Sequence, residues 1–249
     1  MSRVLVLDVG NSRIKWGLHS GRGWISFGAT ANNEIGTLAL REWQNLPRPI
    51  RIVGVNVAGE PARMRVEVQL ARWRVPLQWL TATAAAGGVV NRYAQPGQLG
   101  ADRWAALVAA RQRAVAAELF PPPVVVVNAG TAVTIDALDA DGVFRGGVIL
   151  PGLRLMLRAL AEHTAGLKAS PGSYRDFPTN TGDALYSGAV QAITGAIGEM
   201  RARLASDAGA VRCLLAGGAA NDIAPHLGGA VEVVDNLVLE GVLALADAG

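Results

Sequence analysis

Residues 4–18 read VLVLDVGNSRIKWGL and residues 124–138 read VVVVNAGTAVTIDAL. Laid over one another, they set Asp8 against Asn128, Gly10 against Gly130 and Asn11 against Thr131 at one constant offset. Each opens with four consecutive aliphatic residues, as a buried strand does, passes through a polar turn containing glycine, and resumes as a second strand. A glycine in such a turn lets the backbone come close to a ligand, and the neighbouring amides and hydroxyls suit phosphate oxygens. Two such turns facing one another would make a nucleotide clamp.

The elements that follow each copy come in the same order. In the first half, strands are predicted at 3–7, 13–18 and 24–29, a helix at 35–44, a strand at 50–55, a helix at 61–73 and a short strand at 77–80. A long helix over 101–119 stops at Pro121, Pro122 and Pro123. The second half gives strands at 124–127, 132–138 and 143–149, a helix at 153–162, and a Pro/Gly/Ser loop around 170–178. A long helix at 181–204, a strand at 211–216, a helix after Gly217-Gly218, a strand at 231–234 and a final helix complete it. Three strands and then alternating helix and strand, done twice, resembles the fold shared by actin, sugar kinases and the Hsp70 ATPase domain. The expected architecture is therefore α/β: two duplicated ribonuclease H-like (actin-like ATPase) domains, 1–120 and 121–249, with a central cleft for ATP. A fold of this kind names no substrate.

Bulk properties narrow the class. A chain of 249 residues accommodates two ordinary domains, and 51% hydrophobic residues with 17% charged residues exclude a disordered chain. No apolar run approaches the roughly 18–20 residues of a membrane span, and the N-terminus lacks a targeting pattern, so a cytoplasmic protein with no membrane association is expected. Cys213, the single cysteine, rules out an intrachain disulfide, and its setting VRCLLAGG reads as a buried strand. The pI near 9.5 rests on a net charge of only +3. Arg41, Arg48, Arg51, Arg63, Arg65, Arg72 and Arg74 crowd the first half but lack aromatic interleaving, and they read as solvated faces and strand ends, not as a nucleic-acid surface. His19, His163 and His226 lack metal-ligand spacing. Most of the tryptophans read as core or domain-packing residues, with Trp104 singled out because it adjoins Arg103 and could line the substrate pocket.

Three places carry chemistry. In DVGNSRIK, Asp8 ends a hydrophobic strand, Gly10 permits the turn, Asn11 and Ser12 supply donors, and Lys15 follows in a chain whose other lysine is Lys168. Phosphoryl transfer is largely positioning plus neutralisation of spreading charge, and an aspartate here can hold Mg²⁺ directly or through water. Asp-Val-Gly-Asn is also an ordinary hairpin turn; the second copy tips the balance. In that copy Thr131 offers a hydroxyl, Thr134 reads as a strand residue, and Gly217-Gly218 suits close approach to adenine or ribose. The third place is Tyr93 with the GADR of residues 100–103. A helix start favours anions, Arg103 suits a carboxylate, and Asp102 can take a proton from an attacking hydroxyl. The alternative is capping by Asp102 with Arg103 on the surface.

DVGNSRIKWG, YAQPGQLGADRW, NAGTAVTIDA, GGVILPG and NTGDALYSG, in this order over nearly the whole chain, resemble the motifs of type III pantothenate kinases, the family that includes the Bvg accessory factor-like proteins. The resemblance implies phosphorylation of pantothenate by ATP to 4′-phosphopantothenate, the first step of coenzyme A biosynthesis, by a cytoplasmic homodimer using Mg²⁺ and a monovalent cation, NH₄⁺ or K⁺. It implies that Asp8, Val9, Gly10, Asn11, Ser12, Arg13, Ile14 and Lys15 hold the ATP phosphates and Mg²⁺, and that Thr131 contacts ATP from the second domain. Tyr93, Gly100, Ala101, Asp102 and Arg103 would bind pantothenate, with Asp102 the catalytic proton acceptor and Thr181 completing the site from the neighbouring subunit. Two residues depart from the family pattern. Ser12 stands where threonine is usual and keeps the hydroxyl. Asn128 stands where an aspartate ligates the monovalent cation; an amide brings oxygen but no charge, so no protein metal ligand is assigned there. Two other readings are a kinase for another small hydroxy compound, against which residues 93–103 argue, and a non-catalytic ATP-binding regulator, against which Asp8, Lys15 and Asp102 argue. The small residues Ala184, Gly188, Ala192, Gly195 and Ala196 along the 181–204 helix fit a close helix contact, within the chain or across a dimer.

Overall fold

A computed structural model of the chain describes residues 3–164, 167, 171–205 and 210–247. Lys168 and the start of the 170–178 loop lie outside them. The chain forms two compact units, Met1–Gln112 with Asn236–Gly249, and Arg113–Asp235.

In the first unit, β1 (Val4–Val9), β2 (Arg13–His19) and β3 (Trp24–Ala31) form an antiparallel meander, and β4 (Arg51–Asn56) and β5 (Leu77–Trp79) add to it in the order β3-β2-β1-β4-β5. β1 and β4 pair in parallel, as do β4 and β5 with α1 (Glu60–Leu70) between them. The apolar run of β1 serves two layers. Leu5, Leu7 and Val9 join Ile14, Trp16, Leu18, Trp43, Ile52 and Val66 in one core, and the helix closing this unit, named below, packs on β1 and β4. Each of these aliphatic side chains contributes about 1.5–3 kcal/mol by leaving water. A hairpin, β6 (Ala85–Ala86) and β7 (Val89–Asn91), precedes α2 (Ala101–Ala117), whose residues 103–110 are buried without a break.

The second unit repeats the plan. β8 (Val124–Ala129), β9 (Ala132–Leu138) and β10 (Val143–Pro151) form the meander, β11 (Arg212–Ala216) and β12 (Val231–Val233) follow in parallel, and the order β12-β11-β8-β9-β10 mirrors the first sheet. α3 (Leu153–His163) and α4 (Thr181–Leu204) cover it, with Val190, Ile193 and Ile197 of α4 packed among Val125, Val127, Val133 and Ile135. α5 (Ala220–Ile223) is short, and α6 (Leu237–Asp247) returns to the first unit. There Gly241 meets α2 so closely that an added Cβ would lie 1.8 Å from the Ala105 carbonyl oxygen.

One predicted helix is not formed. Residues 35–44 instead follow a 3₁₀ turn, Asn32–Thr37, and a series of i→i+3 bonds such as Leu40 to Thr37 and Gln44 to Arg41. Burying Ile35, Leu38 and Trp43 together overrides the weak helical preference of a stretch that follows Asn32-Asn33 and contains Gly36. The β6–β7 hairpin was not predicted.

The arginines of the first half mostly staple backbone. Arg72 donates to the carbonyls of Ala39, Trp43 and Gln44, Arg48 to that of Trp73, and Arg51 to that of Ala246. Cys213 is buried on β11, and burial pushes its thiol up to about 11. Trp16, Trp43 and Trp73 pack as an aromatic cluster.

Candidate active site

The first turn is built by register. Asp8 pairs with Lys15 and Val9 with Ile14 across β1 and β2, and the Gly10 N–H donates to the Arg13 carbonyl at 3.0 Å. Asn11, Ser12 and Arg13 are thereby exposed at the tip. An added Cβ on Gly10 would sit 3.2 Å from the Arg13 oxygen, so the tight turn favours glycine.

Asp8 and Asp102 interact electrostatically. Burial pushes the Asp8 carboxyl up to about 7, with the charge of Asp102 adding to the rise and that of Lys15 opposing it. Burial likewise raises Asp102, while the Arg103 N–H and the Arg103 charge hold it back. Asp102, far from Asp8 in sequence, is thus near enough inside a single unit for its charge to act on Asp8, whose cross-strand partner is Lys15. Asp102 has the Arg103 guanidinium beside it, so it is Asp8, desolvated and facing the Asp102 charge, that gains most from a hard cation such as Mg²⁺. Among the described residues no group of three His, Cys, Asp or Glu side chains forms a metal cage; a cation held by Asp8 and substrate phosphates needs none.

Asp102 folds back on the start of α2. Its Oδ1 accepts the Arg103 N–H at 2.8 Å and would lie 2.7 Å from a Cβ on Gly100, so a side chain there would push the carboxylate aside. The capping alternative therefore holds in part, but its other half does not. Arg103 is only 6% exposed, donates to the Tyr93 hydroxyl at 3.2 Å and lies 5.9 Å from that ring. Tyr93 in turn is set by Asn91, a buried amide whose Oδ1 accepts the Tyr93 N–H at 3.1 Å while its Nδ2 donates to the Thr83 and Pro96 carbonyls. Nothing in the motifs of residues 93–103 points to Asn91. The signal was there: Gly87-Gly88, both at positive φ, is the composition of a tight hairpin turn, and Asn91 ends its second strand. Trp104 is 1% exposed and belongs to the core, which removes it as a pocket-lining candidate.

Thr131 and Thr181 belong to the second unit. Thr131 occupies the β8–β9 turn, where Gly130 N–H donates to the Ala132 carbonyl and Gly152 N–H to that of Thr131 at 2.8 Å. Gly217, at φ +102°, would bring a Cβ to 2.5 Å from the Ala129 oxygen; packing against β8 explains this glycine without a nucleotide, whereas an added Cβ on Gly218 meets nothing within 4 Å. Thr181 begins α4, whose first turn is capped reciprocally. The Asn180 side chain accepts the Asp183 N–H and donates to its carboxylate, both at 2.9 Å. The same carboxylate holds Ser173 N–H at 2.8 Å, and this bond and that from Asn180 keep it below the usual range. Thr181 also lines an apolar cavity of about 1090 Å³ with Leu155, Met156, Leu160 and Leu185.

In fold, the chain is similar to a Baf family protein from Campylobacter jejuni, at TM-score 0.66 and 21% identity over 98% of this chain and 97% of that one. It is also similar to the ethanolamine utilization protein EutJ from Carboxydothermus hydrogenoformans, at TM-score 0.58 and 11% identity over 100% and 90%. With its two sheets of like order, the protein is of the duplicated ribonuclease H-like, actin-like class. In sequence, the profile of the type III pantothenate kinases matches residues 4–203. A type III pantothenate kinase of Nitrosospira multiformis is 47% identical over 244 residues, covering 98% of this chain and 90% of the relative. The chain belongs to the type III pantothenate kinase family and is a kinase. Among the described residues no helix is long and apolar enough to cross a membrane.

Proposed function

We propose that this chain transfers the terminal phosphoryl group of ATP to the hydroxyl of pantothenate, giving 4′-phosphopantothenate for coenzyme A synthesis. The observation that carries the reading is the buried Arg103 held by the Tyr93 hydroxyl beside Asp102 at the start of α2, with Asp8 paired to Lys15 at the first turn of the same unit. Residues 8–15 hold the phosphates: the turn amides and the Asn11 and Ser12 side chains hydrogen-bond oxygens, Lys15 neutralises charge, and Asp8 holds Mg²⁺. The metal supplies charge neutralisation as negative charge spreads over the transferred group. Thr131 is a further ATP contact.

Asp102 accepts the proton of the attacking hydroxyl. An ordinary aspartate is a weak base at neutrality; burial makes Asp102 a stronger one. Arg103, buried and steadied by the Tyr93 hydroxyl, presents its guanidinium to the pantothenate carboxylate. Gly100 and Ala101 place the helix start against the substrate, and Thr181 completes the site from the neighbouring subunit of a homodimer. A monovalent cation, NH₄⁺ or K⁺, assists at a site with no assigned ligand, Asn128 having replaced the family's aspartate. The protein works in the cytoplasm.

ADP release from MgATP, with and without pantothenate, in sodium, potassium or ammonium buffers, tests this reading. Pantothenate-dependent release is expected, faster in potassium or ammonium than in sodium; release indifferent to pantothenate in every buffer would contradict it.

A further inference from the structure

Three successive carbonyls of the first turn end on one residue outside the motif. Asn32, the residue after β3, donates through Nδ2 to the carbonyls of Gly10 at 3.2 Å and Asn11 at 3.0 Å, and its backbone N–H donates to that of Ser12 at 2.9 Å. Its Oδ1 accepts Arg65 Nη2 from α1 at 3.2 Å, and Arg65 Nε rests on the Pro61 carbonyl. A guanidinium only donates, so the amide oxygen belongs on the Arg65 side and the NH₂ group on the side of the turn. Arg65 thus fixes which way Asn32 faces.

A carbonyl oxygen aimed at a phosphate repels it. In a trans peptide the next N–H points opposite to the carbonyl, so drawing the Gly10 carbonyl to Asn32 turns the Asn11 N–H to the far side. We infer that Asn32, held by Arg65, is a positioning residue for nucleotide phosphates: it draws the Gly10 and Asn11 carbonyls out of the anion's path and sets the turn's amides toward it. This rests on the reading of residues 8–15 as the phosphate site. A purely structural role at the β2–β3 junction belongs to the Asn32 backbone bond to Ser12, which survives any change of side chain.

The test is calorimetric binding of MgATP and of adenosine to the full chain, as parent, Asn32→Ala, Asn32→Asp and Arg65→Ala, with steady-state KM for both substrates. Loss of two hydrogen bonds predicts MgATP binding weaker by about tenfold in Asn32→Ala. Asn32→Asp, which aims a carboxylate at two carbonyls, is expected to lose more, and Arg65→Ala about two- to fivefold. Adenosine affinity and the KM for pantothenate are expected to stay at the parent's values, which a general loosening of the fold would not allow. Parental MgATP affinity in Asn32→Ala, or an equal loss for adenosine, overturns the proposal. Should Asn32→Ala fail to fold, Arg65→Ala decides, and parental affinity there overturns it. A parent that binds MgATP but ignores pantothenate defeats the substrate reading and leaves the Asn32 comparison decisive; a parent that does not bind MgATP defeats both.

Discussion

Asp102 and Asp8 do different work because they sit in different surroundings. Asp102 keeps a backbone N–H and a guanidinium beside it, and Asp102→Asn preserves that shape while removing the base. It is expected to lower turnover by at least about a hundredfold with MgATP binding nearly intact; turnover within tenfold of the parent would remove Asp102 from the role. Asp8 is lifted to about 7 by burial, so the folded chain holds its proton more tightly than the unfolded chain does. Its contribution to stability is complete below the ordinary aspartate value of 3.8 and is lost as pH rises through about 7. Asp8→Asn is accordingly expected to raise the Tm of the ATP-free protein at pH 8 more than at pH 5, while MgATP affinity, which needs the ionised carboxylate, falls. Equal Tm shifts at the two pH values would contradict the burial account. In the parent, MgATP affinity is expected to climb between pH 6 and pH 8.

At the scale of elements, what was legible in the sequence was what local pattern controls. The strands flanking both turns announce themselves by aliphatic runs, and the 101–119 helix by its apolar period. Asp8, Gly10 and Asn11 were found because a second copy of their motif exists. Asn32 and Asn91 were not, because each acts through contacts made only after folding: one reaches back to a turn some twenty residues earlier, the other pins a tyrosine from the end of a hairpin. The missing 35–44 helix has the same cause, since burial of Trp43 beside Trp16 and Trp73 decides its path. α6 offers a sharp test of element packing. Gly241→Ala places a methyl 1.8 Å from the Ala105 carbonyl oxygen, backbone against backbone, and is expected to cost about 2 kcal/mol or more, read as a lower Tm. An unchanged Tm would mean that α6 does not sit against α2 as described.

Across the whole molecule, the duplication that the opening motifs suggested extends to strand order and direction, with a three-stranded meander and two parallel strands in each unit. The chain does not divide at its midpoint, because the last helix packs with the first unit, a pairing that no local pattern in 237–247 reveals. The homodimer proposed from the family resemblance predicts twice the chain mass in sedimentation at micromolar concentration; a single-chain mass with full activity would contradict the placement of Thr181 in a neighbour's site. The most direct test of the account is the product itself. Incubated with MgATP and pantothenate, the protein is expected to give pantothenate carrying one added phosphoryl group by mass spectrometry, matched mole for mole by ADP and absent with Asp102→Asn. ADP without phosphorylated pantothenate, or transfer to another hydroxy compound in preference to it, would contradict the central claim.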